Sequence, residues 1–399
     1  MPSWRGALSW QTALVHACWV GTRLMFGYRA LADGADPIFL AWMASVFALP
    51  ALIGALPAGR FSDRYGGARI AIAGLLITFS GTAAALVIPG LGILLVASAA
   101  GGLGHMLAMV GLQTLAAHAS APGERDRAFG TLTAAASVGQ LVGAPLTTAL
   151  ATWGVGPSGG GAALNTASGL IGCLVFVVLG LLAYFPLQAG DRYRARHRRA
   201  EHATKVLLSS ILAIPGVWYS VAVSSVVLVT VDLLYAFIPV WAIERDIDAT
   251  TVGLLLALRA LVSTVCRIGL GRMVAKFGRR ALLITSIVAG AAALIALPFI
   301  DEWWAILAMI AIGLCIGLPT PLTMAWVTSI TPRSAHGAVL GLRLTSNRLA
   351  QVSLPLMVGL IAAPVGVIGI FWANAALLFG VSVVAAIAPN APAPDKQTP

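Results

Sequence analysis

The sequence predicts an all-α membrane protein of twelve transmembrane helices in two pseudo-symmetric six-helix bundles, on three observations. The first is composition: of 399 residues, 59% are hydrophobic and only 10% charged, with a mean hydropathy of +0.92. That leaves too few polar side chains to cover a water-soluble globule of this length. The second is pattern. The apolar residues form continuous runs rich in Ala, Leu and Gly, without the alternation of lipid-facing strands, so helices are favoured over a barrel. The third is a repeat: Gly59-Arg-Phe-Ser-Asp-Arg-Tyr-Gly66 between two early runs returns as Gly271-Arg-Met-Val-Ala-Lys-Phe-Gly278 between two later ones.

A bilayer core takes about 20 apolar residues per helical span. In order, the runs are 13–32, 38–58, 70–89, 92–117, 129–152, 164–187, 219–242, 250–270, 280–299, 304–328, 338–362 and 366–388. The first lacks a small-residue cleavage site and is read as a retained span. These spans give four regions: an N-terminal bundle at 1–187, a basic linker with an interfacial helix at 188–218, a C-terminal bundle at 219–388, and a disordered, Pro-rich cytoplasmic tail at 389–399. The linker carries Arg192, Arg194, Arg196, Arg198, Arg199 and Lys205, and Val206–Ile214 is read as a helix lying in the interface, stopped near Pro215.

Charge sets the orientation. With a cytoplasmic N-terminus, Arg5, Arg60, Arg64, Arg69, Arg125, Arg127, Arg272, Lys276, Arg279, Arg280, Arg333, Lys396 and the linker cations all face inward, and only Arg29 and Arg245 face outward. This is the positive-inside distribution of a cell (inner) membrane protein with both termini in the cytoplasm. The net charge of +11 is thereby explained by topology, without a nucleic-acid partner. Cys18, Cys173, Cys266 and Cys315 fall in four different spans, so neither a disulfide nor a metal site is inferred.

The twelve spans, the long central link and the loop between spans two and three together resemble the major facilitator superfamily (MFS) of secondary transporters over essentially the whole chain. Gly59, Asp63, Arg64 and Gly66 match that family's Gly-x-x-x-Asp-Arg-x-Gly loop, while Gly67 and Ala68 depart from its basic pair and Ala275 replaces the acid in the second copy. The resemblance implies alternating access, with Arg60, Asp63 and Arg64 in a latch at the cytoplasmic mouth. On physical grounds Gly59 and Gly66 are expected to shape the turn, with Gly271, Arg272 and Gly278 as counterparts. Gly139-x-x-x-Gly143-Ala-Pro145 is similar to a stretch of antiporters, but Thr147 and Thr148 stand where its closing glycines would be; close helix packing explains the same glycines. Gly317-Leu-Pro319-Thr-Pro321 in span ten is read as a hinge or a kink.

Charges at bilayer depth cost about 2.5–3.5 kcal/mol on insertion scales and so need a partner or a purpose. Here they are Arg23, Arg259, Arg343 and Arg348 against a single acid, Asp232, with Arg267 nearer the cytoplasmic end of its span. One acid neutralises one arginine, Arg23 by position; the surplus implies an anionic solute or a set of structural staples. Arg343, Asn347 and Gln351, at four-residue steps, share one polar face, from which Arg348 points away. Gln113, Gln140, Tyr235 and Asn374 are further candidate cavity groups, and Asp232 and His105 are candidates for ion coupling.

The expected activity is secondary transport of a small organic, anionic solute, proton-coupled or by exchange, by a chain acting as a monomer in the lipid bilayer. A proton-driven multidrug efflux pump is the alternative, though span four lacks a cation at Val96–His105; a channel or a non-transporting receptor belongs to a different class. No Walker-type loop, metal-ligand pair or catalytic constellation is present in the sequence, so neither enzyme activity, cofactor nor direct ATP drive is expected.

Overall fold

The computed structural model describes residues 4–119, 125–153, 164–188, 214, 216–331 and 336–388. The linker cations, residues 206–213 of the expected interfacial helix at 206–214 and the tail at 389–399 lie outside the described residues. Every expected span falls on helix. The N-terminal run comprises α1 (Trp4–Ala32), α2 (Pro37–Tyr65), α3 (Gly67–Val87), α4 (Leu91–Ala119), α5 (Arg125–Thr152) and α6 (Thr166–Leu181). It is followed by α7 (Val217–Glu244), α8 (Ala249–Ile268), the short α9 (Leu270–Phe277), α10 (Arg279–Ala296), α11 (Glu302–Gly317), α12 (Pro319–Ser329), α13 (His336–Ala362) and α14 (Val367–Ile387).

Among the described residues, nine stretches, counting α11 with α12 as one, are long and apolar enough to cross a bilayer, and α6 is a shorter apolar helix. The remaining long helices, α1 and α13, fall short because they carry the polar residues. In α1 this polarity goes with burial: nineteen of its 29 residues are buried, among them Gln11, Thr12, His16, Thr22 and Arg23.

Contacts divide the chain into two compact units, Met1–Ala200 with Leu234–Ala260, and Glu201–Leu233 with Leu261–Pro399. In the first, glycines set the helix spacing. A Cβ on Gly67 would stand 2.3 Å from the Gly111 carbonyl oxygen, and one on Gly74 2.4 Å from that of Gly104, with the reverse pairs equally close, so α3 and α4 touch backbone to backbone. Gly139 and Gly143 do the same for α5 on α1, at 2.1 Å from the Ala13 oxygen and 2.6 Å from the Ala17 Cα. The antiporter-like stretch is therefore a packing surface. Thr147 and Thr148 hydrogen-bond back to the carbonyls of Gly143 and Ala144 at 2.8 and 2.9 Å.

Short links begin and end these helices by side-chain capping and by glycine. Asp36 Oδ1 accepts from Phe39 N at 2.7 Å, with Pro37 in the first turn of α2, and Asn165 Oδ1 accepts from Ser168 N at 3.2 Å to start α6. The duplicated loop is built on one glycine in each copy. Gly66 (φ 97°, ψ 145°) separates α2 from α3 and Gly278 (φ 81°, ψ 150°) separates α9 from α10, a conformation closed to residues with a Cβ. Contrary to the expectation from sequence, Gly59 and Gly271 do not make the turn; they lie inside α2 and α9, because the helix continues to the residue before the second glycine. Both copies also place a cation over the preceding-loop aromatic, Arg64 5.3 Å from the Tyr65 ring and Lys276 5.1 Å from the Phe277 ring.

Candidate functional site, an arginine pair on one tyrosine

In the first unit, α1 supplies Trp19 and Arg23 one helical turn apart, α2 supplies Phe47, α4 supplies His105, and the 234–260 segment supplies Tyr235 and Arg259. The Arg23 guanidinium lies 4.9 Å from the Phe47 ring centroid, 5.6 Å from that of Tyr235 and 5.7 Å from that of Trp19. Arg259 approaches the same Tyr235 ring at 5.3 Å and donates from Nη2 to the tyrosine hydroxyl at 2.7 Å. Tyr235 is fully buried and Arg259 is 1% exposed. Stacking on π faces replaces part of the hydration that a guanidinium loses at this depth. Gly27 permits the approach of α1 to the 234–260 segment, since a Cβ there would stand 3.2 Å from Pro239 Cγ.

Arg259 Nε and the Trp19 indole nitrogen are buried without an acceptor among the described residues. An unmet buried donor costs about 1–3 kcal/mol. Trp19 also stacks on His105, centroids 5.3 Å apart and planes at 24°, and His16 meets His105 edge-on at 5.2 Å. His16 Nδ1 is 3.0 Å from the Thr12 carbonyl oxygen, which places a proton on that nitrogen.

The second unit holds its polar residues differently. Gln351 on α13 bridges a charge pair: Arg348 Nη1 donates to Gln351 Oε1 at 2.8 Å, and Gln351 Nε2 donates to Asp232 Oδ2 at 2.6 Å. Arg348 thus joins the polar row of its helix, although its spacing in sequence turns it away from that row. Asn347 Oδ1 accepts from both Ser224 and Ser225 of α7, at 3.1 and 3.0 Å, and Asn374 Oδ1 accepts from Thr230 at 3.0 Å. Arg343 Nη2 reaches the Thr320 carbonyl at 3.4 Å and Thr323 Oγ1 at 3.3 Å.

The Gly317–Pro321 break explains one further contact. Span ten divides at Leu318 into α11 and α12. Pro321 has no N–H to offer the carbonyl four residues earlier, that of Gly317, and Arg267 Nε donates to that oxygen at 3.2 Å. Arg267 is thereby a clasp on the break. Pro319 is buried and Pro321 half-buried.

The other sequence candidates sit apart from either cluster. Gln113 is exposed on α4 and Gln140 is half-buried on α5. Arg60, Asp63, Arg64, Gly271, Arg272 and Gly278 are exposed on the duplicated loops, with Gly59 and Gly66 partly covered. Sequence reasoning brought forward Arg23, Tyr235 and Arg259 but missed Trp19 and Phe47. The Trp19–Arg23 spacing of one turn was the available signal for the first; nothing marks Phe47 among the many aromatics of an apolar helix.

A sequence model of the Major Facilitator Superfamily matches residues 11–249 and again residues 229–399. No curated protein matches the chain by sequence. Among solved structures, a mutant of the nucleoside transporter NupG superposes with a TM-score of 0.76 at 12% identity, covering 96% of this chain and 98% of that one. A mutant of the peptide transporter POT in complex with sulfate gives 0.74 at 14% identity, over 97% and 94%. A bacterial homologue of the human lysosomal transporter Spinster, inward-facing and occupied, gives 0.71 at 15% identity, over 96% of both chains. Likeness at such identities speaks for the fold alone. The family match covers nearly the whole of a chain whose helices have this fold: the protein belongs to the major facilitator superfamily and is a multi-pass membrane transporter.

Proposed function

We propose that this transporter carries a small organic anion, by alternating access, across the cell (inner) membrane, with both termini in the cytoplasm and the exposed Arg60, Asp63 and Arg64 of the first loop acting as a cytoplasmic latch. The observation that carries the anion reading is the pair of deep arginines, Arg23 and Arg259, on one buried tyrosine ring, with Arg259 Nε and the Trp19 N–H left without acceptors among the described residues. Guanidinium groups match carboxylate, phosphate and sulfate geometry through paired N–H donors.

Asp232 is the coupling candidate in this reading. Its carboxylate accepts from Gln351 beside Arg348, and protonation would weaken that link. The carrier is proposed to be proton-coupled or an exchanger, and to work as a monomer.

Counterflow into proteoliposomes, across a panel of carboxylates, phosphates and amines with an imposed pH gradient, tests the reading. Flux of an anion that falls at least about tenfold in Arg23→Gln and in Arg259→Gln is expected, the scale of one charged hydrogen bond. Flux confined to amines, or anion flux indifferent to both substitutions, overturns it.

A further inference from the structure

Two histidines of the first unit meet beside Arg23. His16 on α1 is buried and His105 on α4 half-buried, and their rings stand edge to face, centroids 5.2 Å apart and planes at 80°. Trp19 closes the group, stacked on His105 at 5.3 Å and edge-on to His16 at 6.0 Å. Neighbouring backbones press on both helices at this level. A Cβ on Gly139 would stand 2.9 Å from His16 Cβ, and one on Gly104 2.5 Å from the Gly74 carbonyl oxygen, so α5 bears on α1 and α3 on α4 right at the rings.

The space beside the rings limits what they bind. The recess lined by His105, Trp19, Cys18 and Thr78 has room for about one water molecule, too little for an organic solute. A metal ion lacks ligands, since among the described residues no three His, Cys, Asp or Glu side chains come together to hold one. A proton needs no volume, and a single water is enough to bring or remove it.

The two imidazoles are arranged to share that proton. His16 Nδ1 carries a hydrogen, 3.0 Å from the Thr12 carbonyl oxygen, so Nε2 is the acceptor of the neutral ring. An added proton goes to His16 Nε2 or to the acceptor nitrogen of His105. On His105 it makes an imidazolium lying on the face of Trp19, and indole is the best of the aromatic faces for a cation.

The same rings already serve Arg23. Its guanidinium lies 5.7 Å from the Trp19 centroid and 4.9 Å from that of Phe47, whose ring is 6.5 Å from His105. A protonated histidine there is a second cation in a poorly hydrated place, and each charge disfavours the other. An anion at Arg23 lifts that opposition. Few other groups around the pair titrate. α1 adds Cys18, α6 adds Cys173 in the same apolar cluster, and the 234–260 segment adds Tyr235, 5.6 Å from Trp19, with Arg259 on its ring. The neighbours from α2, α3 and α5 are Phe47, Thr78 and Gly139, which carry no charge. Asp232, one turn before Tyr235 in α7, has its carboxylate on Gln351.

From this geometry we infer that His16 and His105 form a proton-binding site, and that its proton and an anion at Arg23 raise each other's affinity. Linkage makes the effect reciprocal, and its sign is that of symport. The inference rests on the anion reading above and adds to Asp232 a second protonation site, in the first unit.

Nitrogen-15 NMR of the full chain in lipid nanodiscs, labelled only in its histidines and titrated from pH 5 to 8, tests it. The probe is radiolabelled methanesulfonate, an organic anion whose charge is constant over that range, and its affinity is read by equilibrium dialysis. His16→Gln and His105→Phe assign the signals, the second keeping a ring on Trp19. Saturating probe is expected to move one imidazole of the pair toward the imidazolium position at constant pH. The probe's Kd is expected to fall about tenfold from pH 8 to pH 6, within the usual range of coupling between sites. Arg23→Gln is expected to weaken the probe and to let the pair take its proton at higher pH without it. Should a histidine variant fail to fold, the unmodified chain still decides, because the response to the probe is read there. Histidine signals that ignore the probe while it binds, or that titrate alike with and without Arg23, overturn the proton site and leave the anion reading standing. A probe that binds at no pH overturns the anion reading and this inference with it.

Discussion

The two compact units each bury arginines, among different neighbours. In the second unit Arg267 takes the carbonyl freed by Pro321, Arg343 takes Thr320 and Thr323 through Nη2 while its Nε stays unmet among the described residues, and Arg348 takes the amide that also serves Asp232. In the first, Arg23 and Arg259 lie on aromatic faces, Arg259 has a single hydroxyl, and its Nε is unmatched. At depth, arginine meets carbonyls and an amide in one unit and aromatic rings in the other. The distinction is drawn by neighbours and cannot be read from the arginine.

The sharpest test of this contrast exchanges flux for stability. Arg259→Gln is expected to lower anion flux about a hundredfold, the upper end for a charged hydrogen bond, in protein that still elutes as a folded monomer by size exclusion. The corresponding change in the second unit, Gln351→Leu, leaves Arg348 and Asp232 without their shared amide. It is expected to cost about 2–3 kcal/mol of stability, seen as a lowered unfolding midpoint in detergent; a selective loss of flux with an unchanged midpoint would make that unit a recognition site as well.

Arg267→Met is a smaller case with a built-in control. It leaves the Gly317 carbonyl unmet and is expected to cost about 1 kcal/mol, and Pro321→Ala in the same chain restores an N–H to that carbonyl and should recover part of the loss. Strictly additive costs would sink the clasp assignment. Least of all, Gly66→Ala and Gly278→Ala should each cost about 1–2 kcal/mol by the same measurement, since both copies of the loop hold the same backbone angles; a large difference between them would mean that the two turns are not equivalent.

The fold was open to sequence reading because each bilayer crossing writes a long apolar run and each loop writes its charge. Even the turn of the duplicated loop was visible, although only Gly66 and Gly278 take the conformation that requires glycine, while Gly59 and Gly271 remain helical. Half of the site was legible for the same reason: Arg23, Tyr235 and Arg259 are polar groups in apolar runs. Phe47 was not, because an aromatic side chain looks alike whether it faces lipid, core or cavity. Gln113 shows the converse, a polar residue within a span that is nevertheless exposed. The partner of Arg267 required knowing which carbonyl a distant proline had freed, a tertiary fact.

The polarity of α1 also bears on how the protein is made. Trp10 Nε1 and Gln11 Nε2 donate to the carbonyls of Leu179 and Gly180, at 3.3 and 2.9 Å, where α6 comes to its end. During synthesis Gln11 leaves the ribosome long before Gly180 does, so these two hydrogen bonds cannot form until the sixth span has been made. The start of the first helix and the end of the sixth are thus tied to each other late, and a nascent chain arrested short of Leu179 lacks the carbonyls that hold its first helix there.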